Sequence, residues 1–571
     1  TLVAVFFPIV FMDGMTGRLF REFSIVVSGS VIISSFAALT FTPMLATKLL
    51  IKREKQSWFY RKTEPFFEGM NRIYSRSLAA FLRKRWIALP FTAATILIIG
   101  FLWNYIPAEM APLEDRSQIS INTRGAEGVT YEYIRDYTED INLLVDSITP
   151  DAEAVTARVS SGSGNIRITL KDMQDRDYTQ MEVAEKLSKA VQKKTMARSF
   201  VQQSSSFGGR RGGMPVQYVL QATNIEKLQE VLPKFMAKVY ENPVFQMADV
   251  DLKFSKPEAR ININRDKASI MGVSTRNIAQ TLQYGLSGQR MGYFYMNGKQ
   301  YEILGEINRQ QRNKPADLKG IYIRSSQGDM VQLDNLIELT DGIAPPKLYR
   351  YNRFVSATIS AGLADGKTIG QGLDEMDKIA KETLDDTFRT ALTGDSKEYR
   401  ESSSSLMFAF ILAILLIYLI LAAQFESFKD PLIIMLTVPL AIAGALVFMY
   451  FGDITMNIFS QIGIIMLIGL VAKNGILIVE FANQKQEAGE DKMQAIKDAA
   501  LQRLRPILMT SASTVLGLIP LAFATGEGCN QRIAMGTAVV GGMLVSTLLT
   551  MYIVPAIYSY VSTNRSKLKN E

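Results

Sequence analysis

NIFSQIGIIMLIGLVAKNGILIVEFAN, running from Asn457 to Asn483, is an apolar stretch of helix length with one lysine, Lys473, near its middle. With Met456 in front of it, the run reads as a transmembrane helix, and an ammonium near the bilayer centre costs at least ~2.5 kcal/mol unless it is paired or hydrated. Something must therefore oppose Lys473. Glu480, about two turns further along the same helical face, lies nearer the end of the span, and no other carboxylate of the chain falls convincingly at the depth of Lys473. The missing partner is the first indication of what the molecule does.

Composition agrees with a membrane protein that carries a large polar domain: 571 residues, 48% hydrophobic, 21% charged, net charge +8. One cysteine, Cys529, excludes an intrachain disulfide, and the absence of histidine removes the usual zinc sites and every mechanism that needs imidazole. The positive charge is spread among helix-flanking loops, so it reads as topology and not as nucleic-acid binding.

Working outward from the lysine helix, four more apolar segments share the C-terminal region: Leu406 to Ala423, Pro431 to Tyr450, Pro506 to Thr525 and Ile533 to Val561. Ser402 to Ser405 supply candidate N-caps for the first of them. Upstream, Phe23 to Leu50 and Trp86 to Tyr105 are also long enough to span. The opening TLVAVFFPIVFM is too short to cross and lacks the basic start and cleavage site of a signal peptide, so the expectation is a chain that begins inside a helix, with an N-terminal portion before it. Seven complete spans and a stub result. Between the first two complete spans, Lys52 to Arg85 is rich in Lys and Arg and places Phe59, Phe66, Phe67, Met70, Ile73, Tyr74, Leu78, Phe81 and Leu82 at helical spacing, an interfacial amphipathic helix. By the positive-inside rule this helix is cytoplasmic, and so are the loop Gln484 to Arg505 and the tail with Arg565, Lys567 and Lys569.

Pro107 to Arg400 then lies outside, and its hydrophobic period alternates between 2 and 3.6. Strands are expected at Gln118 to Asn122, Asn165 to Leu170, Ala259 to Ile263, Ile321 to Arg324 and Val355 to Ser360, and a helix with Ile134, Tyr137, Ile141, Leu144 and Ile148 on one face. The alternation predicts α/β units of the split βαβ kind. Ser204 to Gly213, SSSFGGRRGG, reads as a linker between two of them, and Pro233 should kink a helix over Leu228 to Val239 or mark its true start.

Two features bear on chemistry. Arg503 and Thr510 are seven residues apart and share a helical face, and Thr510 and Lys473 fall at similar depths on adjacent antiparallel helices. A hydroxyl, an ammonium and a guanidinium converging there would line an ion or proton path. The competing reading is that Thr510 bonds back to its own helix and Arg503 anchors at the interface; a snorkelling Lys473 is disfavoured because its stem is too short to reach water from mid-span. The second feature is packing: Ala538, Gly542 and Ser546, with Gly463, Gly469 and Gly475, let helices approach closely. Met173, Met196 and Met214 are candidate soft-metal ligands, set against the ordinary use of methionine as gap filler. No nucleophile elbow or phosphate-cradling loop points to an enzyme.

These strings resemble a known family. FREFSIVVSGSVIISSFAALTFTPMLA (Phe20 to Ala46), YLILAAQFESFKDPLIIMLTVPLAIAGAL (Tyr418 to Leu446), IGLVAKNGILIVEFANQ (Ile468 to Gln484) and RLRPILMTSASTVLGLIPLAF (Arg503 to Phe523) are similar to the C-terminal half of resistance-nodulation-division (RND) transporters, on the AcrB-like hydrophobe/amphiphile efflux branch. The resemblance covers nearly the whole chain. It implies a polytopic α-helical membrane bundle with a large periplasmic α+β insertion of split βαβ, ferredoxin-like subdomains. Residues 1–50 hold the end of one transmembrane helix and one complete one, 51–85 the interfacial helix, and 86–106 a transmembrane helix. Porter subdomains occupy 107–205 and 206–251 with 346–400, a docking subdomain 252–345, five transmembrane helices 401–562, and a tail 563–571. Lys473, Thr510 and Arg503 fall on the family's proton-relay positions, and two neighbouring aspartates ahead of residue 1 would face the lysine. The family works as a homotrimer in the inner membrane of Gram-negative bacteria, with a periplasmic adaptor and an outer-membrane channel, and needs no cofactor beyond the proton gradient. The first porter subdomain looks short where multidrug members carry a switch loop, which weakens a specific link to drugs.

The resulting expectation is proton-driven efflux of amphiphilic small molecules, drug-like compounds or lipids, from the periplasm or the outer leaflet of the bilayer, with no nucleic acid involved. The rivals are a heavy-metal or lipid exporter of the same superfamily, the former dependent on Met173 or Met196, and a non-transporting membrane scaffold.

Overall fold

The computed structural model describes residues 2–12, 14–49, 58–203, 214–343, 347–364 and 366–563. The expected linker 204–213, the start of the interfacial segment and the basic tail lie outside the described residues. Two compact units emerge. The first comprises Thr1–Arg124, Ile134–Asp251 and Arg350–Glu571, and the second Gly125–Tyr133 with Leu252–Tyr349.

The first unit opens with α1 (Leu2–Phe6), α2 (Gly14–Leu49), α3 (Trp58–Arg83) and α4 (Ala88–Tyr105). The chain then enters a four-stranded sheet, β1 (Gln118–Arg124), α5 (Tyr131–Ile148), β2 (Ala154–Ser160), β3 (Ser163–Thr169), α6 (Gln180–Val191) and β4 (Arg198–Gln203). Strand order is β2-β3-β1-β4, with every neighbouring pair antiparallel. Strict alternation along β1 and β3 buries Ile119, Ile121, Ile166 and Ile168 against Tyr137, Ile141 and Val145 of α5 and Leu187 of α6. A capping box between Thr179 and Glu182 starts α6.

A second sheet follows from β5 (Val216–Ala222), α7 (Ile225–Glu241) and β6 (Phe245–Val250). Pro233 sits inside α7 and does not mark its start, because Asn224 caps the helix two turns earlier and Leu228, Leu232, Phe235 and Val239 bury one continuous face.

The second compact unit is inserted here: β7 (Pro257–Ile263), α8 (Arg265–Ile270), α9 (Thr275–Leu286), β8 (Gln289–Met296), β9 (Lys299–Gly305), β10 (Tyr322–Arg324), β11 (Met330–Gln332) and β12 (Ile337–Ile343). Ala268, Ile278, Ile323, Leu333 and Leu336 form its core. Residues Gly125–Tyr133 group with this unit and not with the first sheet. Arg309 pairs with Glu132, Lys253 lies 3.7 Å from Glu127, and Gly128 abuts Pro257.

The second sheet is completed by β13 (Tyr349–Tyr351), β14 (Phe354–Leu363), α10 (Ile369–Thr383) and β15 (Arg389–Leu392). Its path is β13-β14-β5-β15, and β6 also pairs with β14.

Five further helices end the chain: α11 (Gly394–Phe425), α12 (Asp430–Met435) with α13 (Thr437–Phe451), α14 (Ile458–Glu487), α15 (Lys492–Ala522) and α16 (Cys529–Val561). Among the described residues, seven helical stretches are long and apolar enough to cross a membrane, α12 and α13 together making one. The serines Ser402 to Ser405 are not caps. The helix begins at Gly394, stabilised by the i,i+4 pair Lys397–Glu401, and Ser396 docks its first turn onto β5 by accepting from the Gln217 N–H and donating to the Pro215 carbonyl. α16 packs against α13, α14 and α15. Close approach there depends on Gly542, where an added Cβ would lie 2.2 Å from Leu467 Cδ1 and 2.9 Å from the Ala441 carbonyl oxygen. On α3, Tyr74, Leu78 and Leu82 are buried, and the Tyr74 hydroxyl donates to the Met551 carbonyl of α16 at 2.6 Å.

Candidate functional site

α14 is the best-enclosed helix among those with a charged residue at mid-span. Asn457 and Ser460 form a capping box at its start, and it is buried through most of its length on successive turns, including Ile464, Ile468, Ala472, Val479 and Asn483. Lys473 is the break in this pattern. Its two predecessors and two successors are buried, yet it is exposed, and it makes no hydrogen bond or ion pair with any described residue. Glu480 does not reach it; that carboxylate accepts from Gln484 Nε2 at 3.0 Å on the following turn.

The residue after it has the opposite fate. Asn474 Nδ2 donates to Ser511 Oγ of α15 and to Thr547 Oγ1 of α16, both at 3.3 Å, and Thr547 and Ser511 are 3.1 Å apart. All three are buried, so three helices close a hydrogen-bonded triad inside an otherwise apolar seam. Since Asn474 meets Ser511, their chain neighbours Lys473 and Thr510 stand at matching levels on α14 and α15. Thr510 is half-buried and its hydroxyl donates to the Ile507 carbonyl at 3.2 Å within its own helix. Arg503 places its guanidinium 4.5 Å from the centre of the Phe481 ring on α14, and its Nε has no hydrogen-bond partner among the described residues. No hydrogen bond joins Lys473, Thr510 and Arg503 to one another among the described residues. Sequence reading missed the triad, although three polar residues inside apolar spans, NG, TSAS and STLLT, were its visible trace.

Both ends of this helix group are pinned. At the Asn483 end, Asn483 Nδ2 donates to Asp430 of α12 at 3.1 Å, the Tyr558 hydroxyl of α16 donates to Asn483, and Gln486 Nε2 donates to Tyr558 at 2.7 Å, all four residues buried. At the Asn457 end, the segment leaving α4 lies across the helix start. The Met456 N–H donates to the Pro107 carbonyl at 2.8 Å, the Glu109 N–H to the Met456 carbonyl at 3.0 Å and the Ile458 N–H to the Met110 carbonyl at 3.2 Å. The Glu109 carboxylate accepts from the Thr455 hydroxyl, and burial pushes its pKa up against that hydrogen bond's opposing effect.

The same segment then reaches α16, where the buried Glu114 accepts the Gln531 N–H at 2.9 Å in the first turn, a favourable place for a carboxylate. It ends at Asp115. Burial works to raise that carboxyl, but the N–H groups of Gln180 and Ser117 and the Arg176 guanidinium outweigh it and hold the pKa below the usual range. The helix carrying Lys473 is thereby tied through one short segment to the first sheet.

Of the candidate methionines, Met173 and Met196 are exposed and Met214 is buried; among the described residues no cluster of three or more His, Cys, Asp or Glu side chains offers a metal site.

Span-length helices, an α/β region inserted between two of them and a polar seam inside the helix group are the architecture of a multi-pass membrane protein. A profile of the AcrB/AcrD/AcrF family matches residues 1–562. Over 579 aligned positions the chain is 31% identical to a protein of Haemophilus influenzae named an uncharacterized transporter, covering 99% of this chain and 56% of that protein. The chain belongs to the AcrB/AcrD/AcrF family of RND transporters. It spans little more than half the length of that relative.

Proposed function

We propose that this chain is the part of a proton-driven secondary active efflux transporter in which Lys473, Thr510 and Arg503 form the cationic side of a proton relay. The acidic side would come from residues outside this chain. One observation carries the reading: on a helix enclosed by its own chain, the only exposed position among five consecutive mid-span residues is a lysine with no partner among the described residues. An ammonium left in hydrocarbon is costly, so that face has to meet anions or water in the working protein. Protonating carboxylates that face Lys473 would release it toward Thr510, which stands at a matching level on α15. One proton crossing ~100 mV supplies ~2.3 kcal/mol, enough to shift conformers a few kcal/mol apart.

In this reading the two sheets with their covering helices are porter subdomains of the split βαβ kind, and the inserted unit from Leu252 is a docking subdomain. The assembly is a homotrimer in the inner membrane of a Gram-negative bacterium, joined to a periplasmic adaptor and an outer-membrane channel and carrying amphiphilic small molecules. The linkage from α14 through residues 107–115 to the first sheet supports a mechanical path from relay to porter.

The test is Lys473→Met in the whole protein, reconstituted in vesicles with an imposed pH gradient. Export falling to background with folding and membrane insertion unchanged is the expected result; gradient-driven export that survives the substitution overturns the relay.

A further inference from the structure

At one corner of the helix group the end of α16 meets the starts of α4, α12 and α15, all within the first compact unit. The apolar stretches long enough to cross a membrane begin or end here, at Arg85, Asp430, Lys492 and Val561. Two exposed aromatic rings, Trp86 and Tyr560, stand at the same ends, as interfacial rings do at the level of lipid headgroups.

Three cations converge on this corner. Arg85, in the short turn that leads into α4, donates from its guanidinium to Ser559 Oγ of α16 at 3.2 Å and lies 4.3 Å from the centre of the Tyr560 ring. Lys492, the first residue of α15, donates from Nζ to the Ser562 carbonyl at 2.5 Å. Lys429, exposed, immediately precedes α12. The charges that act on the Lys492 amine are Arg85 and Lys429, which repel it, and Asp430, which attracts it. Asp430 is buried and accepts from Asn483 Nδ2 at 3.1 Å, and none of the three cations forms an ion pair with a described residue.

Cations at helix ends ordinarily reach into water and record only which way a span runs. Arg85 and Lys492 do not fit that description. Both are half-buried, and each is oriented by hydroxyl, carbonyl or ring partners that leave its charge uncancelled. Three like charges are thereby held together against one carboxylate, an arrangement that gains stability from a further anion.

We propose that this corner binds the phosphate of an anionic membrane lipid. The phosphate oxygens accept from Arg85 and Lys492, with Lys429 at the rim. Leu89, one turn on from Arg85 along α4, is exposed and offers apolar surface to the acyl chains. A lipid is favoured over a soluble anion because the cations stand at the ends of spans, which rests on reading these apolar helices as membrane-crossing. The bound headgroup would hold the starts of α4 and α15 against the end of α16.

The experiment takes the whole protein from a bilayer of phosphatidylglycerol and phosphatidylcholine in equal amounts into mild detergent and counts the retained lipids by native mass spectrometry. The parent should retain phosphatidylglycerol over phosphatidylcholine by about tenfold. Arg85→Gln with Lys492→Gln should erase that preference, whereas Arg76→Gln, at an exposed position on α3, should leave it intact. Because Arg85 and Lys492 also make packing contacts, Lys429→Gln serves as the second variant and should weaken the preference about threefold without changing the melt in phosphatidylcholine alone. Equal retention of the two lipids by the parent, a preference untouched by these variants, or an equal loss in Arg76→Gln overturns the site. Inorganic phosphate should not release the lipid; release by it would assign the corner to a soluble phosphate and overturn the lipid. Retention is read without a proton gradient, so failure here and failure of the relay are separate results.

Discussion

Lys473 and Asn474 are consecutive residues at one depth of one helix, and the chain treats them in opposite ways. The face of α14 that carries Asn474 is closed by α15 and α16, and Asn474, Ser511 and Thr547 are hydrogen-bonded to one another there. The face that carries Lys473 is left open, and its amine makes no hydrogen bond or ion pair with any described residue. Burying an amide in an apolar seam is tolerable once it is hydrogen-bonded, whereas a charge needs an opposite charge as well. On the proposed reading the difference separates two jobs: the Asn474 side holds the bundle together, and the Lys473 side is where the bundle meets something that can change its charge.

The largest expected effect breaks this comparison directly. Lys473→Met should abolish gradient-driven export, while Asn474→Val, one residue away, should leave most of the export in place and act on stability. If both variants lose transport equally at matched folded protein, the two faces do not differ in role. Gly542→Val comes next. Its added carbons collide with Leu467 and the Ala441 carbonyl on the closed side, and overpacking of this sort costs about 1–3 kcal/mol, readable as a lower apparent Tm in detergent. Asn474→Val itself should cost about 1 kcal/mol, because Ser511 and Thr547 keep their bond to each other. A melt indistinguishable from the parent would show that the triad adds nothing to the seam.

The smallest effects concern the two carboxylates of the connecting segment, and they have opposite signs. Glu109 has a raised pKa when folded, so its charge costs stability at neutral pH, and the cost fades as pH falls through its folded value toward the ordinary one. Glu109→Gln should therefore raise the apparent Tm at about pH 8 and have no effect near about pH 4. Asp115 has a lowered pKa, so its contribution is present above the ordinary carboxylate range and is lost as pH falls through its folded value. Asp115→Asn should lower the Tm at neutral pH, and the loss should shrink on acidification. Two variants with the same sign would mean that the segment does not hold the two groups in different surroundings.

Much of this was legible in the residues. The spans follow from continuous apolar runs longer than any soluble core helix requires, and the face of α5 follows from the spacing of Ile134, Tyr137 and Ile141. Strands with clean alternation, such as β1 and β3, also announce themselves. What sequence could not deliver is pairing across long separations. β2 and β4 alternate weakly because Ala154 and Phe200 stand on the outward face while Ser199 and Gln203 of β4 turn inward, and the start of α11 at Gly394 hides in a charged stretch whose helicity rests on Lys397–Glu401 and on Ser396 docking to β5. The site was half visible. Depth along a helix can be counted, which placed Lys473 level with Thr510, but Asn474, Ser511 and Thr547 lie 36 to 73 residues apart and share no period. That Arg503 would rest on Phe481, and Thr510 turn back on its own helix, depends on rotamers that spacing does not set.

The most direct test is an experimental structure of the whole protein at mildly alkaline pH, read at the Lys473 amine. The account predicts a carboxylate oxygen within about 3 Å of Nζ, a charge-assisted contact contributed from outside the described residues. An amine surrounded by bulk water, with no acid in reach, would contradict it.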